Sequence, residues 1–239
     1  MKKKKIIVTG SSRGLGFYIA NNLLKEGHQV VLNGRRKFKR KNYIGGDFSK
    51  PKSSKKIIEK SFKILKGLDV LICNIGESKS SLPNKETYEE WRKMFDQNFY
   101  TAINAIEASK KYLIKSKGSI ICISSICGNE LIKGAPITYS VSKAALNFYA
   151  KSISHYLGQQ GVKINVISPG NLMFKNSVWY KKIKKNKNKV DKIIQSNVPL
   201  KSFGMPDDIY NMIDYLISDK AKFINGSNFV IDGGQTIKN

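Results

Sequence analysis

A glycine-rich turn near the start of the chain is the feature that most constrains its fold. The turn reads Thr-Gly-Ser-Ser-Arg-Gly-Leu-Gly over residues 9–16, and it follows a short apolar run at 6–8. After it, apolar residues recur at helical spacing as far as Leu24. Glycines between a strand and a helix let the backbone approach a pyrophosphate, and the helix N-terminus offers unpaired N–H donors. The turn therefore predicts dinucleotide binding, with a tight turn of no binding function as the alternative.

The rest of the chain alternates apolar strand segments with helical segments. This alternation is typical of a parallel sheet with helices on both faces, so we expect a doubly wound α/β Rossmann fold of about seven strands. The chain has 239 residues, no repeat and no linker rich in Pro, Gly or Ser, and it is expected to form one domain over 1–239. Residues 35–42 are too few and too charged for a full crossover helix.

Basic residues far outnumber acidic ones, with 43 Lys and Arg against 17 Asp and Glu and a formal net charge of +26. Such a charge attracts polyanions, although lysines scattered over solvated faces would give the same count. Three cysteines without a paired spacing disfavour a disulfide framework or a zinc site and favour a cytoplasmic location. No apolar segment reaches the roughly 20 residues of a membrane span.

Two arginines follow the second predicted strand, at the place where dinucleotide folds often carry an acidic residue that binds the ribose hydroxyls of NAD. Arg35 and Arg36 stand there, and Arg13 is close by in the glycine turn. A guanidinium can hold a 2′-phosphate through two hydrogen bonds and stack on adenine. The sequence therefore favours NADP(H) over NAD(H), with an exposed basic loop as the alternative.

A tyrosine and a lysine at the start of a predicted helix are candidate catalytic residues. Tyr139 and Lys143 are four residues apart, so they share one helix face. The helix begins soon after the strand that leads into Ser125, which places all three side chains near the same edge of the sheet. A Tyr-x-x-x-Lys pair alone is a weak signal, but its position within a cofactor fold strengthens it.

The motifs together resemble those of the short-chain dehydrogenase/reductase family, in its branch of 3-oxoacyl-[acyl-carrier-protein] reductases. They are the Thr-Gly-x-x-x-Gly-x-Gly turn, a partial Asn-Asn-Ala-Gly at 73–76, Tyr139 with Lys143, the Pro-Gly at 169–170 and the Asp-Gly-Gly at 232–234. They follow the family order along nearly the whole chain. The resemblance implies an oxidoreductase that interconverts a ketone and a secondary alcohol by hydride transfer, without a metal.

The resemblance also implies a role for each catalytic residue. Tyr139 would be the general acid and base, with Lys143 lowering its pKa and binding the nicotinamide ribose. Ser125 would donate a hydrogen bond to the substrate oxygen, and Asn98 would hold a water between Lys143 and solvent. The spacing from Ser125 to Tyr139 is one residue longer than is common in the family, which leaves Ser124 as an alternative.

The implied cofactor site combines the glycine turn, the arginines and the ends of the later strands. Its residues are Gly10, Ser12, Arg13, Gly14, Leu15, Gly16, Asn33, Arg35, Arg36, Asp47, Phe48, Asn74, Gly76, Tyr139, Lys143, Pro169, Gly170 and Leu172. Asp47 would contact the adenine amino group, and the backbone of Leu172 the carboxamide. Phe174 stands where the family often has a Thr that binds the cofactor.

A lysine-rich segment at 175–201 is predicted to be a lid that recognises an anionic substrate, or else a disordered loop. A 3-oxoacyl thioester on an acidic carrier suits the basic surface, and a keto-sugar or another phosphorylated metabolite is the alternative substrate. A non-catalytic protein that binds polyanions or nucleic acid on the same fold is the alternative of another class, although we expect no specific nucleic acid. The resemblance implies a homo-oligomer, a tetramer or a dimer.

Overall fold

Seven strands form one parallel sheet in the computed structural model, which describes residues 3–36 and 38–236. The strands are β1 (Lys5–Val8), β2 (Gln29–Gly34), β3 (Tyr43–Gly45), β4 (Val70–Cys73), β5 (Ser119–Ile123), β6 (Lys163–Pro169) and β7 (Asn228–Ile231). Their spatial order is β3-β2-β1-β4-β5-β6-β7, and every neighbouring pair is parallel. This confirms the predicted doubly wound Rossmann fold. The order reverses between β1 and β4, and ligands of such sheets bind at the carboxyl ends of the strands beside this point.

Helices cover both faces of the sheet. They are α1 (Gly14–Lys25), α2 (Pro51–Leu65), α3 (Tyr88–Phe95), α4 (Thr101–Ser116), α5 (Ile137–Gln159), α6 (Val178–Lys185), α7 (Lys187–Asn197) and α8 (Pro206–Ile217). Helices α1 and α8 pack on one face, and α2, α4 and α5 pack on the other. None of the helices in the described part of the chain is both long and apolar enough to cross a bilayer.

The strands are short apolar runs because both of their faces are buried. Successive side chains point to opposite faces, so Ile7 and Leu71 pack under α2 and α4, while Ile6 and Ile72 pack under α1 and α8. All four side chains are fully buried. The two apolar layers hold the ends of β1 and β4 side by side, and this is the edge where the glycine turn lies.

The helical region between β4 and β5 is not one regular α-helix. A capping box at Thr87 begins α3, and a five-residue π-helix at Asp96–Tyr100 separates α3 from α4. Single π-helical turns inside helices often mark functional sites, and Asn98 lies in this one. The lysine-rich segment is helical rather than a loop, since α6 and α7 occupy most of it.

Candidate active site

A cavity of about 1080 Å³ lies along the carboxyl edge of the sheet. The glycine turn forms its floor, the ends of β2, β4, β5 and β6 form its wall, and residues of α6 and α7 close its far side. Its volume is at the upper end of the range for ligand sites, which is large enough for a dinucleotide beside a substrate. All of the predicted cofactor residues line it, as do the predicted catalytic residues except Asn98.

The glycine turn has the geometry of an anion cradle. Gly10 and Gly14 adopt φ angles of 64° and 60°, in the left-handed region that favours glycine. A Cβ on Gly16 would lie 2.3 Å from Asn74 Nδ2, so only glycine fits there. Helix α1 has no acidic residue in its first turn, and the preceding Arg13 makes no side-chain cap. The first N–H groups of α1 are therefore available to the cofactor pyrophosphate that the turn predicts.

The two arginines lie at the adenosine end of the cavity. Arg35 and Arg36 are exposed, and neither has an acidic partner among the residues that the structure describes. The Tyr43 hydroxyl donates to the carbonyl of Arg36 and fixes the backbone there. Asp47 lines the same end, and its Oδ1 accepts the N–H of Ser49 at 2.8 Å. Two free guanidinium groups at this place fit a 2′-phosphate.

Two of the predicted cofactor residues turn their side chains into the protein. The Asn33 side chain donates to the carbonyls of Ile44 and Gly46 at 3.0 and 3.3 Å and is fully buried. The Phe48 ring is also fully buried in the core. Asn33 therefore ties the ends of β2 and β3 together, and the Phe48 ring belongs to the core beneath the cavity.

Asn74 connects the end of β4 to the glycine turn. Its backbone N–H donates to Thr9 Oγ1 at 3.0 Å, and its Nδ2 donates to the carbonyls of Thr9 and Gly10 at 3.1 and 3.3 Å. These bonds hold the turn against the strand, which explains why Gly16 must approach Asn74 so closely.

Ser125, Tyr139 and Lys143 come together at the end of β5. The Ser125 hydroxyl lies near enough to the Tyr139 phenol to influence its pKa, and it accepts the N–H of Cys127 at 3.2 Å. Lys143 is buried and donates from Nζ to the carbonyl of Ile123 at 2.9 Å. Ser124, the alternative to Ser125, instead points its hydroxyl toward the carbonyl of Lys143 at 3.5 Å. The extra residue before Tyr139 lies in the loop that precedes α5, so β5 and α5 remain intact.

Burial controls the ionisation of this cluster. Desolvation raises the pKa of Tyr139 well above its ordinary value, against the opposing effect of the nearby Ser125 hydroxyl. Burial also lowers the pKa of Lys143 to about 8. At neutral pH the cluster accordingly holds a neutral phenol and a mostly protonated amine.

Asn98 is fully buried and links the wall of the cavity to α5. Its Nδ2 donates to the carbonyl of Glu77 at 2.9 Å and to Ser142 Oγ at 3.1 Å, and its Oδ1 accepts the Glu77 N–H at 2.8 Å. A Cβ on Gly76 would lie 3.2 Å from Asn98 Oδ1 and 3.3 Å from Lys143 Nζ. Gly76 thus lets Asn98 and Lys143 approach the same point.

The end of β6 forms the last side of the predicted nicotinamide site. Pro169 ends the strand, and the Gly170 N–H donates to the carbonyl of Ile231 at 2.9 Å. Leu172 pairs with Gly204 in an isolated bridge, and no hydrogen bond among the described residues uses the Leu172 N–H. That donor suits a carboxamide oxygen. Phe174 lines the cavity near Gly14 and supplies no hydroxyl.

Several residues of the substrate end were not singled out by the sequence. Glu77 lines the cavity directly after Gly76, and its negative charge contributes to the raised pKa of Tyr139. An acidic residue immediately after a cofactor motif, in a chain with few acids, was the signal that could have found it. Trp179 and Lys182 of α6 also line this end, with Lys182 Nζ 4.4 Å from the Trp179 ring centre.

Known proteins resemble the chain over almost its whole length. A family model described as enoyl-(acyl carrier protein) reductase matches residues 10–236. A 3-oxoacyl-[acyl-carrier-protein] reductase of Rickettsia felis is 32% identical over 244 residues, which cover 97% of this chain and 96% of the relative. Glucose 1-dehydrogenase 2 of Bacillus subtilis is 25% identical over 251 residues, covering 98% and 95%. The ligand-free aldohexose dehydrogenase of Thermoplasma acidophilum superposes with a TM-score of 0.89 at 27% identity, covering 100% of this chain and 96% of that one.

Proposed function

This chain belongs to the short-chain dehydrogenase/reductase family of oxidoreductases, and on that premise we propose that it is a carbonyl reductase that interconverts a ketone and a secondary alcohol, with NADP(H) favoured over NAD(H). The observation that carries the proposal is the meeting of Ser125, Tyr139 and Lys143 at the wall of a cavity whose floor is an anion cradle. One dinucleotide-binding domain over 1–239 would carry this site, with residues 175–201 as its substrate lid.

Each side chain of the cluster has a separate role in proton transfer. When bound, the nicotinamide supplies or takes up the hydride. Tyr139, neutral at pH 7 because of its raised pKa, donates a proton to the carbonyl oxygen during reduction and takes it back during oxidation. Ser125 hydrogen-bonds the same oxygen and polarises the carbonyl. Lys143 binds the ribose and stabilises negative charge on the phenol, and Asn98 positions the loop opposite Lys143.

The cofactor preference rests on the free guanidinium groups of Arg35 and Arg36 at the adenosine end. No acidic side chain follows β2 before Asp47, so the ribose hydroxyls of NAD would lack their usual acceptor. A 2′-phosphate would instead be held by charge-assisted hydrogen bonds.

Two substrate classes fit the relatives and the charge. A 3-oxoacyl thioester on an acidic carrier would suit the basic surface and is the substrate class named for the Rickettsia relatives. A keto-sugar or another phosphorylated metabolite is the second candidate, favoured by the sugar dehydrogenases among the relatives and by the polar lining at Ser78, Ser80 and Gln97. Either substrate would lie near the lysines of α6, which would attract an anionic group on it.

The decisive test replaces Tyr139 with Phe. The variant should lose NADPH oxidation with 3-oxoacyl thioesters, keto-sugars and 2,3-butanedione, and it should bind NADPH almost as the native protein does. Absorbance at the reduced-nicotinamide band measures turnover, and a fluorescence titration measures binding. Native rates in the variant would overturn the assignment of Tyr139. If the native protein binds nucleic acid but no nicotinamide cofactor at physiological salt, the enzyme assignment fails as a whole.

We also propose that the protein is a homo-oligomer, a tetramer or a dimer. Phe148 and Tyr156 on α5 are 76% and 66% exposed, and Val230 on the edge strand β7 is 45% exposed. Large exposed apolar side chains on a helix and an adjoining sheet edge favour association. Light scattering after size exclusion would measure the mass, and a monomer at micromolar concentration would contradict this expectation.

A further inference from the structure

Glu77 is a carboxylate held in place at the substrate end of the cavity. Its backbone is fixed on both sides by Asn98, which accepts from its N–H at 2.8 Å and donates to its carbonyl at 2.9 Å. Its Oε1 accepts the N–H groups of Ser78 and Lys79, both at 3.0 Å. Two hydrogen bonds thus fix the Glu77 backbone and two more fix its side chain, so the residue presents its remaining groups in one geometry, which is the condition for selective binding.

The second carboxylate oxygen of Glu77 is uncommitted. No hydrogen bond or ion pair to Oε2 occurs among the described residues, even though the chain carries a formal charge of +26. Glu77 lines the cavity, and its negative charge contributes to the raised pKa of Tyr139. A carboxylate in this position only accepts hydrogen bonds, so the group it faces in the substrate must be a donor.

We propose that Glu77 determines substrate specificity by accepting a hydrogen bond from a hydroxyl next to the reacting carbon, so that the substrate is a hydroxylated carbonyl compound of the keto-sugar class. This inference rests on the proposed function, and it decides between the two substrate classes considered above. A 3-oxoacyl thioester carries a methylene and a second carbonyl beside the reacting carbon. It offers no donor to Glu77, and its carbonyl oxygen would face a negative charge.

The surroundings of Glu77 agree with a hydroxylated substrate. Ser78, Ser80 and Gln97 add hydroxyl and amide groups to the same wall. Convergent polar groups of this kind suit a ligand that has several hydroxyls.

The test compares two ketones that differ by one hydroxyl, 3-hydroxy-2-butanone and 2-butanone, with 2,3-butanedione as a measure of general carbonyl reduction. The native protein should use the hydroxyketone with a kcat/KM at least tenfold above that for 2-butanone. Glu77→Gln should reduce that ratio about tenfold or more, because a hydrogen bond to a charged acceptor is lost. Gln retains an oxygen for the Ser78 and Lys79 N–H groups, so the loop should keep its fold.

Glu86→Gln is the matched control. Glu86 Oε1 also accepts backbone N–H groups, those of Ile137 at 2.6 Å and Thr138 at 3.4 Å, but Glu86 does not line the cavity. Its replacement removes the same charge and should leave the ratio between the two ketones unchanged.

The outcomes separate the two proposals. Tyr139-dependent reduction of 2,3-butanedione, together with a hydroxyl preference that only the Glu77 variant loses, supports the inference. If 2,3-butanedione is reduced but the native protein shows no hydroxyl preference, or Glu77→Gln keeps that preference, the role of Glu77 is overturned and the proposed function stands. If no carbonyl compound is reduced although NADPH binds, both the proposed function and the inference that rests on it are overturned.

Discussion

Replacing Arg35 and Arg36 with alanine should weaken NADPH binding strongly and leave NADH binding nearly unchanged. Both guanidinium groups are exposed at the adenosine end of the cavity, and neither is engaged by an acidic side chain in the described part of the chain. No internal ion pair has to be broken when a phosphate binds there. The variants therefore remove an interaction with the 2′-phosphate and disturb little else.

The magnitude follows from the strength of charge-assisted hydrogen bonds. A hydrogen bond to a charged group contributes about 1.5–3 kcal/mol, and we take about 1.5–2 kcal/mol for each arginine because both are exposed to solvent. Since about 1.4 kcal/mol corresponds to a tenfold change in Kd, each replacement should raise the Kd for NADPH roughly 10- to 30-fold. The double variant should raise it roughly 100- to 1000-fold, whereas the Kd for NADH should change less than about threefold.

Fluorescence titration of both cofactors into the native protein and the variants would measure these constants at one ionic strength. Arg40→Ala is the matched control, because Arg40 lies in the same loop but is engaged elsewhere. It donates to Asn21 Oδ1 at 2.8 Å and stacks on Phe17 at 5.3 Å from the ring centre. If Arg40→Ala weakens NADPH binding as much as the double variant, or if NADH and NADPH lose affinity equally, the 2′-phosphate reasoning is refuted.

Three further predictions follow from the site and the fold. Gly16→Ala should weaken NADPH binding at least about tenfold, because its Cβ would lie 2.3 Å from Asn74 Nδ2; an unchanged Kd in a titration would contradict this. The kcat/KM for NADPH should fall above pH 8, as Lys143 with a pKa of about 8 loses its proton, and a profile that stays flat to about pH 10 would contradict it. Burial, followed by the charge of Glu26, raises the pKa of Asp214, so the folded state loses stability as pH rises through that raised pKa. Asp214→Asn should therefore raise Tm at pH 7 by roughly 2–4 °C in calorimetry, and a lower Tm would show that the carboxylate stabilises the fold.

The fold could be predicted from the sequence because its determinants are local. Apolar runs bounded by turns predicted the buried strands. Helical spacing predicted α1 and α5, with errors of one or two residues at their ends. The parallel order then follows from the alternation of strands and helices, which allows few topologies. The family motifs then predicted which residues form the site. In a parallel sheet, the glycine turn, Tyr139 and Lys143 all lie at the carboxyl edge of the strands.

Contacts between residues far apart in the sequence could not be predicted in this way. The π-helix at Asp96–Tyr100 has a sequence that also suits an ordinary helix, and spacing alone does not distinguish the two. Asn33 lies near the end of β2, just before the two arginines, yet its side chain donates to the carbonyls of Ile44 and Gly46 inside the protein. The pKa of Tyr139 depends on burial, which the helical position of the residue does not reveal.

Glu77 shows why the position of one charged residue indicates more about a substrate than the net charge of the chain does. Many of the lysines that dominate the composition lie on exposed helix faces, such as Lys52, Lys55 and Lys56 on α2. At such places they attract any polyanion and do not select one ligand. Glu77 is instead fixed through Asn98, 21 residues further along the chain, and it lines the cavity with its Oε2 unused by any described residue. Under the role proposed above, this fixed acceptor restricts the substrate to compounds with a hydroxyl next to the reacting carbon. On that proposal, this one carboxylate indicates the substrate class better than the excess of basic residues does.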